Sequence, residues 1–597
     1  MGVTTTNQSA SQVTLGNVNR PLSKKEIRTK FLSDFKSRIE DATDRLFLFY
    51  GRPYAYDDDS PAGDAPPAPQ DSVSDDIETR KAIMALRLIR SDDATNAFVL
   101  NANGIDANWQ SGRVYDEYSN LIDLSSKQYY VFTDESKLYI CLNNNGDRNS
   151  TIKPSSNDGA PFDTSDGYRW KLLIDYRDSR LRKFNAPTHL PVPPQTSTEI
   201  LVSKDGGQLE RLDLAIGAFD SPPNSPQGYD YTESLDSPQS LNSPESREEI
   251  PLFIKGDGDD VRTARGTVSG RVGVTLATVS IDNAGSGYYN DAVRGSVPVE
   301  LRLTNPSEAL SNFSLAYGLA TVSSTGTITG VSVVNAGNGY PDAASLTIVQ
   351  SSAIAYANVD TSNGKIIEDS VIKPFTIEQT GKNFTTATVV SVVDAAVNTA
   401  DESIDPILSP IAGHGNNIKS ELNATSLFIN VRITSGINEF SNSNDFRQIG
   451  IMANPKNTNT PSTAIIDNFV DASSSITVTA VGSSNFDNIS ADAIIEGRSS
   501  LHKGRLIDVL TVTGSPTKRK IRFLNDPSEP ITSNFTPGET VDITGGGADG
   551  FLVGGASEVT SSAVDIMKSG EILFINNNNP ITRTADQSET INFIFNF

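Results

Sequence analysis

Apolar residues in this chain recur mainly in short runs that alternate with polar ones and stop at glycine, asparagine or proline. Leu427-Phe-Ile-Asn-Val-Arg-Ile433, Leu506-Ile-Asp-Val-Leu-Thr-Val512 and Ile591-Asn-Phe-Ile-Phe-Asn-Phe597 show near-alternation, which sends successive side chains to opposite faces of a strand. Between Tyr129 and Leu142 two such runs flank Asp134-Glu135 and predict a hairpin. Phe162, Asp166-Gly-Tyr168 and Trp170-Lys-Leu-Leu-Ile174 extend it into an antiparallel meander, because no connection there is long enough for a crossover helix. Helical spacing belongs to the N-terminal part. Ser23 offers a cap with Glu26 three residues on, and Ile27, Phe31, Phe35 and Ile39 share one face that needs a partner surface. Residues 77–89 predict a second helix. The class expected is mainly β.

With 597 residues and 64.0 kDa, several folding units are expected. Residues 1–20 are polar and read as a flexible arm, and the acidic, proline-rich stretch 57–69 as an extended surface loop. Composition shifts near residue 220, where Pro222-Pro-Asn-Ser-Pro226 and the serine-proline phrases up to Glu245 predict a long loop over 220–247. Beyond it a phrase repeats. Val279-Ser-Ile-Asp-Asn-Ala-Gly-Ser-Gly-Tyr288 returns 52 residues later (331 − 279) as Val331-Ser-Val-Val-Asn-Ala-Gly-Asn-Gly-Tyr340. A weaker copy, Phe375-Thr-Ile-Glu-Gln-Thr-Gly-Lys-Asn-Phe384, follows 44 residues after that (375 − 331). Each copy reads as a strand ending at a glycine turn, with Tyr288, Tyr340 or Phe384 folding back to supply apolar mass to small β modules in series. The three phenylalanines of Ile591–Phe597 share one face and should close a sheet.

The formal charge is -24, so non-specific attraction to a phosphate backbone is opposed and direct nucleic-acid binding is not expected. A single cysteine, Cys141, excludes an intrachain disulfide or a cysteine-rich metal site, and its apolar surroundings predict a buried strand position. No apolar run approaches the about 18 residues of a membrane span, and the first residues lack a signal-peptide pattern, so assembly in the cytoplasm without membrane insertion is expected. His189, His414 and His502 have no partner at metal-ligand spacing and read as ordinary surface or loop residues. Gly545-Gly-Gly-Ala-Asp-Gly550 lacks the lysine of a phosphate loop and reads as a flexible turn. Asp57-Asp-Asp59 with Asp64 lacks calcium-loop spacing. No catalytic, cofactor or metal residue is assigned.

Several blocks together carry a resemblance. Ser569-Gly-Glu-Ile-Leu-Phe-Ile-Asn576, Pro580-Ile-Thr-Arg-Thr-Ala-Asp-Gln587 and Ile591–Phe597 at the C-terminus, Phe446-Arg-Gln-Ile-Gly-Ile with Asn454-Pro455, Asp166-Gly-Tyr-Arg-Trp170, and Phe49-Tyr-Gly-Arg-Pro53 resemble the baseplate wedge protein encoded by the eighth gene of T-even-like contractile-tailed bacteriophages. The resemblance spans both ends but not the middle. It implies an antiparallel β-sandwich body with small helical additions, a homodimer within each wedge, contacts to other baseplate wedge proteins, a place in the virion tail baseplate, and no enzymatic activity. The expected organisation is then a body from 21–250, 401–470 and 561–597, with inserted β modules over 251–400 and 471–560 projecting from it. Structural or interface candidates are Phe31, Phe35, Tyr168, Trp170, Tyr288, Tyr340, Phe446, Arg447, Phe593, Phe595 and Phe597. The competing reading is a peripheral tail component that binds a host receptor or glycan through the Gly-x-Gly-Tyr modules. A third, a polysaccharide hydrolase, would need two facing carboxylates about 5–9 Å apart.

Overall fold

Leu46–Gly51 (β1) is an unbroken apolar run, and such a strand is stable only with both faces covered. In the computed structural model it lies at the centre of an antiparallel sheet and is buried along its whole length. The structure describes residues 24–596 apart from 57–65, 101–106, 203–205, 215–246, 361–364, 367–373, 392–403, 434–444, 461–464, 530–533, 583–587 and scattered single positions or pairs. The sheet order is β24 (Phe469–Asp471), β2 (Ile83–Leu88), β1, β23 (Asp445–Ala453) and β32 (Glu571–Thr582). A second sheet faces it, ordered β33 (Glu589–Asn596), β22 (Ser426–Ile433), β3 (Ala94–Val99) and β8 (His189–Pro191). Leu46, Leu48 and Tyr50 meet Leu427, Ile429 and Val431 between the sheets, while Phe47 and Phe49 on the other face of β1 pack with Ile83, Ile465 and Val564. This sandwich is discontinuous in sequence, its strands drawn from both ends and from the 426–471 region.

Helix α1 (Lys24–Glu40) lies against β3 and β22. Its buried positions are Leu32 and Ile39, with Phe35 half-buried beside them, so the packed stripe runs through 32, 35 and 39. Phe31, placed on the buried face by its spacing, is instead 59% exposed. The sequence also extends the second helix too far. Helix α2 (Val73–Ala82) starts at Ser72, whose hydroxyl accepts the Asp75 N–H, and it stops where β2 begins. Ile83–Leu88 pairs with β1 on one side and β24 on the other, and these ladders override any local helical preference.

The predicted meander is present as β4 (Tyr130–Phe132), β5 (Lys137–Asn143), β6 (Phe162–Asp163) and β7 (Arg169–Asp175), ordered β4-β5-β7-β6. Cys141 on β5 is fully buried, which pushes its thiol well above the ordinary range.

The middle of the chain is a nest of insertions. Strands β9 (Leu209–Leu214) and β21 (Ile404–Leu408) pair antiparallel as a neck. They enclose a sheet of β10 (Arg247–Gly256), β17 (Ala353–Asp360), β18 (Lys365–Ile366), β19 (Phe375–Thr380) and β20 (Ala387–Ser391). Within it sits a third unit of β11 (Asp260–Val272), β12 (Thr275–Asn283), β13 (Val297–Leu303), β14 (Ala316–Val322), β15 (Ile328–Asn335) and β16 (Ser345–Ser351), ordered β12-β11-β16-β13-β14-β15. The chain enters and leaves this inner unit at one point, since Asp260 pairs with Ser351 and the Ser352 N–H donates to the Asp259 carbonyl at 3.1 Å. Arg294 fixes the inner unit to the sheet around it, reaching Glu249 at 2.7 Å and Glu378 at 2.9 Å and lying 4.0 Å over the Tyr356 ring. Replacing 260–351 by a short turn is therefore expected to leave a soluble chain with the rest of its fold intact, because β10 and β17 remain hairpin partners. Circular dichroism and thermal melting check this, and aggregation of the shortened chain would contradict it.

The last unit comprises β25 (Ser474–Ala480), β26 (Ile494–Gly497), β27 (Lys503–Thr511), β28 (Lys518–Asn525), β29 (Thr540–Ile543), β30 (Phe551–Val553) and β31 (Val559–Thr560). Pairing of β25 with both β28 and β30 closes it into a barrel. It is not a free projection: Ile507 and Leu524 are buried in the same core as Leu46 and Ile451 of the sandwich.

Candidate assembly surfaces

Most aromatic candidates turn out to hold the fold together. Tyr168 and Trp170 are fully buried in the meander and stack with ring centroids 5.3 Å apart, and the Tyr168 hydroxyl donates to the Arg148 carbonyl. Phe446 meets Tyr50 edge-on in the sandwich core at 5.4 Å. Arg447 donates to the Pro53 carbonyl at 2.7 Å and so anchors the Phe49–Pro53 segment to β23. Phe593 is buried, whereas Phe595 is half-buried and Phe597 lies outside the described residues, as do Asp57-Asp-Asp59 and Asp64.

The repeat tyrosines are equally internal. Tyr288 is 4% exposed and Tyr340 has no exposed surface. Gly285 and Gly337 make the turns before them at φ 62° and 54°, with the glycine N–H groups donating to Asn283 and Asn335. Each tyrosine hydroxyl then accepts one backbone N–H and donates to one backbone carbonyl. Tyr288 takes Ala264 at 3.0 Å and gives to Ile348 at 2.7 Å; Tyr340 takes Ala316 at 2.7 Å and gives to Leu301 at 2.6 Å. Phe384 is buried too, and has no hydroxyl to offer.

The three histidines are buried, against a surface placement, although His414 and His502 do lie in loops and only His189 sits on a strand, β8. His189 lies beside Thr188 and Asn596, and His502 is boxed by Phe523 and Phe535. His414 is the most constrained. Its Nε2 meets Glu210 of β9 at 2.9 Å, its Nδ1 meets Glu421 of α3 (Ile418–Glu421), and the Tyr118 ring stands edge-on at 4.7 Å. Burial favours the neutral ring, but the charges of Glu210 and Glu421 outweigh it and hold the imidazolium up to about 10. Nearby, burial lowers Lys171 to about 8. Glu210 lies 204 residues from His414, so no local motif could have revealed it, whereas Glu421 is only 7 residues away. The cluster joins the root of the nested insertions to the meander. Among the described residues, no group of three His, Cys, Asp or Glu side chains could hold a metal ion, and no helix is long and apolar enough to cross a membrane.

One flank of the sandwich is left open. β32 and β33 are the edge strands of the two facing sheets, each with a single strand neighbour among the described residues. Phe574 of β32 meets Phe593 and Phe595 of β33 at 5.5 and 5.7 Å, so the two edges lie side by side. Phe35 of α1 covers Phe595 at 5.5 Å. Leu573, Phe574, Ile591 and Phe595 remain only half-buried there, and Phe31 is exposed one helical turn away from Phe35. Edge strands free of charge over most of their length are sites where another chain adds. No protein-family model matches the chain, and no curated protein is similar to it.

Proposed function

We propose that this chain is a structural subunit of the baseplate wedge of a contractile phage tail, without catalytic role, which links neighbouring baseplate proteins through assembly and sheath contraction. The observation that carries the reading over a glycan-binding role is the burial of Tyr288 and Tyr340, whose hydroxyls are spent on backbone groups and whose rings offer no face to a sugar. The open β32–β33 flank supports it further, because two neighbouring edge strands with half-buried apolar side chains can take up another chain. Antibody fragments raised against residues 260–351 and imaged on intact particles should mark the wedges. Decoration of the outer tips together with retention on host glycans would overturn the reading in favour of a peripheral adhesin.

The same reading makes the chain a homodimer that also contacts other wedge proteins. Sedimentation at micromolar concentration should give twice the 64.0 kDa chain mass. A monomer with no dependence on concentration would rule out a stable dimer in isolation.

A further inference from the structure

The repeats are not modules in series. The hydrogen bonds of the 260–351 unit come in pairs displaced by 52 residues that run in both directions between the repeats. Leu276 N–H donates to the Ala336 carbonyl, and Ile328 N–H to the Ala284 carbonyl, both at 2.9 Å. Tyr288 N–H donates to Gly326, and Tyr340 N–H to Val274. The tyrosine hydroxyls also cross over, that of the first repeat reaching β16 of the second and that of the second reaching β13 of the first. The strand order β12-β11-β16-β13-β14-β15 reads the same from either end once β11, β12 and β13 are matched to β14, β15 and β16. Its centre is the antiparallel pair Leu301↔Ile348. This is the pattern of a two-fold, isologous interface in which each half completes the other's sheet.

The surrounding unit follows the same plan. β9 pairs with β21, β21 lies beside β20, β20 pairs with β10, β10 with β17, β17 with β19, and β19 lies beside β9. These six neighbours match β12, β11, β16, β13, β14 and β15 in turn, except that the strand equivalent to β11 comes last in the chain instead of first. Phe384 N–H donates to Gly207 at 3.0 Å as Tyr340 N–H donates to Val274 at 2.9 Å. Where Phe384 lacks the hydroxyl, the Ala353 N–H, equivalent to those of Ala264 and Ala316, turns to Ser351 Oγ at 3.3 Å. The inner unit is inserted between β10 and β17, the position held by the connection between repeats in the inner unit itself.

We infer that the 52-residue repeat is a self-recognition element whose binding partner is a second copy of itself, that residues 260–351 are such a pair fused in one chain, and that the outer unit is a circularly permuted pair with one eroded half. Asp291 and Arg294 show how the symmetry is then broken for docking. They lie between Tyr288 and β13, where the first repeat is five residues longer than the second, since Ala264 and Ala316 are 52 residues apart (316 − 264) but their strand partners Ile348 and Leu301 only 47 (348 − 301), so only the first repeat carries the ion pairs to Glu249 and Glu378.

Two experiments on the full chain test this. In Tyr288→Phe, amide exchange should quicken about tenfold at Ala264 and along 345–351 of the opposite repeat, and in Tyr340→Phe at Ala316 and along 297–303. Exchange quickened only within the substituted repeat would overturn the inference. In a chain lacking 304–351, the remaining repeat should capture the repeat of a second chain, so that the sedimenting species contains at least twice as many chains as the intact protein does. An unchanged stoichiometry with β11–β13 left unprotected would refute self-recognition.

Discussion

His414→Gln should destabilise the chain by about 3–5 kcal/mol, because it leaves the carboxylates of Glu210 and Glu421 facing each other in a site with almost no access to water. The ring links β9, the 413–415 turn and α3, so the loss should appear first as amide exchange over 209–214 and 404–421, before global unfolding. The same cluster sets a pH dependence. An unfolded histidine titrates near 6.5, whereas the folded state holds this proton up to about 10. The folded chain therefore binds the proton more tightly, and the stabilisation is complete below pH 6.5 and is lost as pH rises towards about 10. Melting temperature followed from pH 6 to 10 should fall more steeply for the natural chain than for His414→Gln. Parallel curves would mean that the ring is not the charged member of the cluster.

Removal of residues 589–597 should be the most damaging truncation. β33 pairs with β22 over eight residues, from Ser426↔Asn596 to Ile433↔Glu589, and it brings Phe593 into the sandwich core. Phe593 contributes about 1.5–3 kcal/mol and the half-buried Ile591 and Phe595 part of that each. Loss of the strand also bares β22 and one face of Phe574. Together these amount to a large share of the about 5–15 kcal/mol margin of a domain. Insoluble protein or a collapse in melting temperature is expected. A truncated chain melting within a few degrees of the intact one would show instead that β33 is an arm whose proper sheet lies in a partner.

The two predictions draw on different amounts of sequence information. The C-terminal strand was legible because apolar side chains on alternate positions need a core to pack on, as Phe593 does at the edge of its sheet, and β22, β23 and the meander were legible by the same period. The glycine turns and buried aromatics of the repeats were legible as well, since Asn-Ala-Gly-x-Gly-Tyr spells a turn and an apolar plug. Their sense was not. Periodicity describes a strand's faces and says nothing about which strand lies beside it, so two repeats in a row look alike whether they stack in series or exchange strands. The errors have the same origin. Ile83–Leu88 has the apolar content of a buried helix turn, and only pairing with β1 and β24 made it a strand. Phe31 and Leu32 are both apolar neighbours on α1, and the surface of β3 and β22 selected Leu32.

Residue pattern alone thus decided the class of the fold and the positions of several strands with the turns that end them, because backbone conformation and side-chain period are local properties. The tertiary structure decided what each strand pairs with, which turned the 33 strands among the described residues into a sandwich, a meander, a closed barrel and two nested units. It also decided which polar groups are buried together. His414, Glu210 and Glu421 carry no shared motif, and only the closing of the neck onto the meander removed the water that would otherwise have kept them apart.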